Sequence, residues 1–466
     1  PKDLIGNSGK GKEYAYRSYF GRVMYSYADR YLFQANIRHD GSSRFAKKHR
    51  WGTFPSFSAG WVLSEENFMK NLNWDWLSFL KIRATWGALG NERIGDFPYM
   101  STIAFGNTIF YQNNGIYFDQ TASQQKYAIE NVTWEKTEST DIGLDISFLN
   151  NRLRVNGDYY WKNTKDMLLA MAIPDFLGFS DPDVNAGKMS TKGYELNVSW
   201  NDHIGDFSYG IAINFSDFTS KMGDLQGTQF LGDKVKMEGS EFNEWYGYVS
   251  DGLFLTEEDL KNSPKINDKN TQLGDIKYKD ISGPDGVPDG KISPEYDRVL
   301  LGSSLPHFLY GGNINLGYKN FDLSLAFQGV GKQNARLARE MVEPFRNNYG
   351  NFPAIIDGNY WSPYNTDEQN AVAKYPRLTH VNKSSNYAMS DYWLFNGGYF
   401  RLKNITLGYT FPKEWMNAIG IKGARIYASA SDLFCLSKYP KGWDPEMGVS
   451  EYPITTSILL GVSVNF

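Results

Sequence analysis

The chain has 466 residues, of which 16% are aromatic, including 31 Tyr and 13 Trp, yet its mean hydropathy is only −0.48. No apolar run approaches the roughly 18 residues of a membrane-spanning helix, and a net charge of −4 argues against a general nucleic-acid binder. Cys435 stands alone and the 5 His are scattered, which excludes an internal disulfide, a cysteine-based metal site and an H-E-x-x-H pair.

In chain order the first motif is Gly6-Asn7-Ser8-Gly9-Lys10-Gly11-Lys12, which fills the first seven places of a P-loop. Glu13 occupies the place of the Mg²⁺-binding Ser or Thr, and no buried strand comes before it, so we read a flexible basic loop. From Val23 the chain turns to period-two alternation. Val23 to Tyr27 and Tyr31 to Ile37 flank the short turn Ala28-Asp29-Arg30. Further on, Ile142, Leu144, Ile146 and Phe148 alternate with Asp141, Gly143, Asp145 and Ser147. Past a tight turn at Asn150-Asn151, Leu153, Val155, Tyr159 and Trp161 oppose Arg154, Asn156, Asp158 and Lys162. A central Arg or Lys facing lipid costs about 2–4 kcal/mol, so the charged side is the lumen of a membrane barrel. Tyr194 to Trp200, Tyr209 to Phe215, Ile314 to Tyr318, Leu323 to Phe327, Ile405 to Phe411 and Ile426 to Phe434 have the same two faces. The last strand, Ile458 to Phe466, alternates perfectly and stops on an aromatic residue. As the edge of a soluble sheet it would be an aggregation hazard, whereas a closed barrel has no edge.

Connections alternate too. Ala28 to Arg30, Leu149 to Arg152, Asp202 to Asp206 and Lys319-Asn320 are short. Between them stand the long polar segments Asp40 to Arg50, Asn91 to Asn131, Asp166 to Gly187, Lys221 to Leu305, Lys332 to Gly397 and Leu436 to Tyr452. Short turns at one end and long loops at the other describe an outer-membrane barrel. Counting yields about thirteen strands, an odd number, whereas bacterial single-chain barrels close with an even one. The chain is therefore expected to be part of a barrel, with Gly6 to Lys12 in an exposed loop tip.

No catalytic constellation and no G-x-S-x-G elbow occur. The loop aromatics Trp245, Tyr246, Tyr248, Trp361, Tyr364 and Trp393 either stack on sugar rings or a partner, or serve loop packing and the interfacial belt. Of these, Trp245, Tyr246, Trp361 and Trp393 are the substrate-binding candidates. Asp280, Ser282, Asp285 and Asp289, followed by Asp297, place oxygen ligands among glycines, as Ca²⁺ requires; an inserted residue near Pro284 departs from EF-hand spacing. The competing reading is a tight polar turn held by Asp side chains.

Several segments resemble the SusC/RagA-type TonB-dependent outer-membrane transporters, and the likeness runs along nearly the whole chain. They are Asp40-Gly41-Ser42-Ser43-Arg44-Phe45, the stretch Phe54 to Trp61, Leu80 to Gly87, Arg401 to Tyr409 and Gly442-Trp443-Asp444-Pro445-Glu446. The resemblance implies an all-β fold, a transmembrane antiparallel barrel of 22 strands closed by a plug, of which residues 1–466 supply the carboxyl-terminal thirteen or so. The TonB box, the plug and about nine strands have no counterpart in this sequence. It further implies import of oligosaccharides, or of peptides, with a SusD-like lipoprotein lid outside and energy from the TonB system. A D-x-N-G-D-G-x-I-D segment frequent in that family resembles the Asp280 to Asp289 run. The competing expectations are a passive porin or surface glycan-binding protein, and third a soluble β-rich glycan hydrolase.

Overall fold

The computed structural model describes residues 11 and 13–466, apart from 113–114, 125–126, 172, 174, 180, 228–231, 347–350 and 449–450. Most of the P-loop-like segment, Gly6 to Lys10 and Lys12, lies outside the described residues. Thirteen strands form one antiparallel sheet: β1 (Tyr16–Tyr27), β2 (Tyr31–Ser42), β3 (Trp51–Val62), β4 (Leu77–Asn91), β5 (Glu135–Phe148), β6 (Leu153–Lys165), β7 (Met189–Ile204), β8 (Phe207–Met222), β9 (His307–Tyr318), β10 (Phe321–Lys332), β11 (Tyr399–Thr410), β12 (Gly423–Ser437) and β13 (Ser457–Asn465). Their order in the sheet is their order in the chain, so every connection joins neighbours. At the ends of that order β1 and β13 each have a single neighbour, so among the described residues the sheet does not close.

The chain divides into two compact units, the first holding residues 1–146, 157–193 and 220–228, the second the remainder. No helix among the described residues is long and apolar enough to cross a membrane, which bears only on crossing by helices. The sheet faces obey the alternation. On β5, Ile142 and Leu144 are exposed while Gly143 is buried and Asp141 and Asp145 are half-buried, so the apolar residues line the outward face, which in water would be a liability and against lipid is the requirement. Turn chemistry is equally direct. Leu149, Asn150 and Asn151 have φ of 53°, 57° and 65°, and Ala28 and Asp29 have φ of 51° and 54°, the left-handed backbone that tight hairpins demand.

In the first unit, aromatic rings gather at both ends of the strands. At the short-turn end Tyr27 and Trp61 both stack on Tyr31, with centroids 6.4 Å away in each case. At the long-loop end Trp51 stacks on Tyr19 at 5.9 Å and on His39 at 4.8 Å. Two such rows are the girdles of a membrane barrel. At the short-turn end Glu66 collects their polar tips, since its carboxylate accepts from Tyr31 Oη at 2.6 Å, Trp61 Nε1 at 3.0 Å and Arg30 Nη1 at 3.1 Å. These donors, Tyr31 first, hold the Glu66 carboxyl below its ordinary 4.5. A depressed carboxylate contributes stability above pH 4.5 and loses it as pH falls through the folded value. In the full transporter, Glu66→Gln is therefore expected to lower the temperature at which the barrel loses its fast gel mobility at pH 7, and to narrow its difference from the native protein as pH falls below 4.5. An equal difference at pH 7 and pH 3.5 would count against the charge-assisted hub.

The long loops are not featureless. Residues 92–134 contain a hairpin, Ile103–Gln112 with Gly115–Gln124, that the polar-loop reading missed. Residues 223–306 and 333–398 pack together around Tyr248, Leu253, Ile276, Tyr278, Met341, Val342, Ile356, Tyr387 and Trp393. These two insertions thus carry a hydrophobic core of their own, beyond the sheet.

Candidate functional site

One face of β4, β5 and β6 bears an ionic cluster. Arg83 lies 2.7 Å from Asp158, 3.3 Å from Asp145 and 3.7 Å from Asp141, and Lys81 lies 3.4 Å from Asp145. Gly143 leaves the room that this guanidinium fills, since a Cβ there would meet Arg83 and Asp158. The Asp141, Gly143, Asp145 and Asp158 face expected to be the lumen is therefore the charged face. Its opposite carries exposed Ile142, Leu144, Ile82 and Trp86.

The loop module of the second unit is organised by a buried carboxylate. Asp275 is 0% exposed and accepts from Arg377 Nε at 2.7 Å and Nη2 at 3.2 Å, from Asn382 and Asn386 Nδ2 at 2.9 Å each, and from the Gln272 amide at 2.9 Å. Beside it Tyr278 is fully buried, donates to the Ser385 carbonyl at 2.7 Å, and has its hydroxyl pushed well above its ordinary value by burial.

A second ionic node ties the last long loop to the sheet. Arg401, 3% exposed, contacts Asp444 at 2.6 Å, Glu446 at 2.8 Å and Asp432 at 3.5 Å. The register of β11 on β12 shifts between Leu402 and Asn404, and Asp432 takes φ 50° there, a bulge that turns its carboxylate toward Arg401 and Lys403.

The aromatic candidates separate into distinct roles. Trp393 is 2% exposed, stacks on Tyr387 at 5.1 Å and donates through Nε1 to the Asn386 carbonyl at 2.9 Å. Its expected contact with substrate is thereby corrected, because burying the indole is what builds the module core. Tyr248, 8% exposed, belongs to the same core. Trp245 bonds the Asn334 carbonyl and has the Lys234 ammonium 4.6 Å from its ring. Tyr246 lies under the Arg298 guanidinium at 4.5 Å. Both are thus engaged in packing within the module. Trp361 and Tyr364 differ, since they line a cavity of about 600 Å³ together with Tyr360, Glu257, Gln272 and Arg377.

The Asp-rich loop spends several of its carboxylate oxygens on the backbone, while Asp280 Oδ1 is buried without a hydrogen-bond partner among the described residues. Asp297, 0% exposed, accepts from the Ile281 amide at 2.7 Å, the Ser282 amide at 3.2 Å and the Ser293 amide at 2.7 Å. Asp280 Oδ2 accepts from the Gly290 amide and Asp289 Oδ1 from the Lys291 amide at 3.0 Å, while Asp285 is exposed. Ca²⁺ takes six to eight oxygens at about 2.3–2.6 Å. The amide hydrogen bonds accepted by Asp280, Asp289 and Asp297 build a tight polar turn, and among the described residues no three Asp, Glu, His or Cys side chains gather as metal ligands.

With this sheet, these girdles and these loops in place, the family comparison is decisive. The model of the TonB dependent receptor-like β-barrel matches residues 3–433. The chain belongs to that family. The receptor barrel is 32% identical over 468 residues to the TonB-dependent receptor SusC of Bacteroides thetaiotaomicron, covering 96% of this chain and 43% of the relative. It is 31% identical over 453 residues to TonB-dependent receptor P3 of Formosa agariphila, covering 92% of this chain and 42% of that one. The barrel spans less than half the length of these relatives. Its fold matches the RagAB peptide transporter with a TM-score of 0.78 at 23% identity, over 97% of this chain and 47% of that one. A receptor barrel of this family resides in the outer membrane and is not an enzyme, so the soluble-hydrolase expectation is set aside.

What sequence reading missed in this receptor barrel were the polar hubs. Asp275 and Arg377 are 102 positions apart, with no local pattern joining them. Arg401 and the Asp444 to Glu446 segment did stand out, as two separate family-like motifs, without a sign that they meet.

Proposed function

We propose that this chain supplies the carboxyl-terminal part of the barrel of an active importer of oligosaccharides, with plug and remaining strands contributed by other sequence of the same transporter. A SusD-like lipoprotein closes the outer face, and the TonB system acts on the plug. The observation that carries the reading is the loop architecture. A purely passive pore needs turns and a constriction, whereas residues 223–306 and 333–398 build a folded module with its own buried core at the long-loop end. Such a module supplies a rigid surface for recognition and for a lid. The relationship to SusC along 96% of this chain supports the same reading.

The test is uptake by cells expressing the full transporter, given fluorescent neutral oligosaccharides and, in a second arm, labelled peptides. Oligosaccharide uptake is expected to fall to background when the TonB protein is deleted, and a tagged transporter is expected to copurify with a lipoprotein. Uptake that survives that deletion identifies a passive porin. Uptake confined to the peptide arm makes the cargo peptide.

A further inference from the structure

The cavity lined by Trp361 and Tyr364 lies wholly within the loop module, and its walls are made by different means. Trp361 packs its indole on Gly274, whose φ of 82° and lack of a Cβ allow the contact. Its amide donates to the Tyr375 carbonyl at 3.0 Å. The loop beyond it is pinned by side chains. Asn370 Oδ1 accepts from the Ser362 amide and its Nδ2 donates to the Ser362 carbonyl, both at 3.0 Å, while Asn365 donates to the Tyr360 carbonyl at 3.0 Å. The Tyr364 amide donates to Ser362 Oγ at 3.3 Å, and Thr366 with Gln369 forms a capping box on the helix that follows. On this fixed loop the Tyr364 ring is 96% exposed. An aromatic ring held out on a preorganised backbone loses little entropy when a ligand stacks on it.

Charge narrows the ligand. Arg377 is the cation at the wall, but its Nε and Nη2 are committed to Asp275, so its charge is matched by a buried carboxylate. Glu257 is exposed and opens a helix whose first turn also holds Glu258 and Asp259. The cavity therefore presents aromatic faces, a carboxylate and the Gln272 side chain to its occupant, with no uncompensated positive charge. Carboxylate and amide oxygens accept from hydroxyls, and the same carboxylates repel anions.

Resting on the importer reading above, we propose that this cavity is a recognition subsite for uncharged oligosaccharides, with Tyr364 and Trp361 as stacking platforms and Glu257 as the group that turns away uronates and sulfated sugars. The full transporter in detergent is titrated with maltoheptaose, cellohexaose and fructan oligosaccharides, with oligogalacturonate, and with a tryptic peptide mixture. At least one neutral oligosaccharide is expected to bind, and Tyr364→Ala to weaken it roughly tenfold. Glu257→Lys is expected to admit oligogalacturonate, which the native protein refuses. Both positions are exposed, so folding is spared. Neutral affinity unchanged in Tyr364→Ala overturns the proposal, as does binding of peptides alone, or a loss confined to lid copurification. Should affinity be unchanged while uptake still depends on TonB, the subsite falls and the importer stands.

Discussion

Replacing Asp275 by Ala is expected to unfold the loop module while the thirteen-strand sheet still assembles. The carboxylate receives five hydrogen bonds, from Arg377 twice, Asn382, Asn386 and the Gln272 amide, and no water reaches it at 0% exposure. Its removal strands a largely buried guanidinium and two buried amides. Breaking a buried pair from one side costs about 3–5 kcal/mol, most of it the uncompensated charge. The sheet has separate sources of stability, namely its backbone ladder and its lipid-facing side chains. In the full transporter, limited trypsin digestion should therefore cut Asp275→Ala within residues 250–390, where the native protein resists, while heat-modifiable gel mobility persists. Asp275→Asn keeps the shape and some of the acceptor capacity and should fall between the two. A digestion pattern identical to the native one would show that the apolar core around Trp393 holds the module unaided.

The strands and their faces were legible because lipid on one side and a polar lumen on the other impose alternation on every strand. Alternation alone places Asp141, Asp145 and Asp158 on the lumen side, and they meet at Arg83 on the charged face. The turn at Asn150-Asn151 was legible because few residues tolerate its backbone. Strand ends were less so. Alternation marked β11 only from Ile405, yet pairing begins at Tyr399, where the strand rises toward the loop module and a lipid-facing pattern is no longer required. Sequence favours Trp393 over Tyr364 as a substrate-binding candidate, although both are simply aromatic residues in a long polar loop. Burial at 2% and exposure at 96% separate them, and burial depends on which distant segments fold back. The Asp-rich loop reads two ways for a related reason, since Asx turns and Ca²⁺ loops draw on the same Asp, Ser and Gly residues.

Replacing Arg401 by Met is expected to release the last long loop, residues 438–456, from the sheet. Arg401 is 3% exposed and faces Asp444, Glu446 and Asp432, with Lys403 as the second cation at 2.7 Å from Asp432. Without it three carboxylates crowd against one ammonium, and the loss is about 3–5 kcal/mol, as for other buried ion pairs broken from one side. A Lys at 401 keeps the charge but not the planar fork that spans three acids, so Arg401→Lys should recover only part of the loss. The consequence reaches the loop module, because Trp443 packs against its core and Tyr439 meets Phe395 edge-on at 4.9 Å. Arg401→Met should therefore expose residues 438–456 to protease first and loosen the core around Trp393 second. Asp444→Asn in the Arg401→Met background should cost less than in the native chain, because the charge it removes is by then unpaired. Strictly additive losses in that double-variant cycle would mean that the node at Arg401 acts through packing alone, and that the loop is anchored elsewhere.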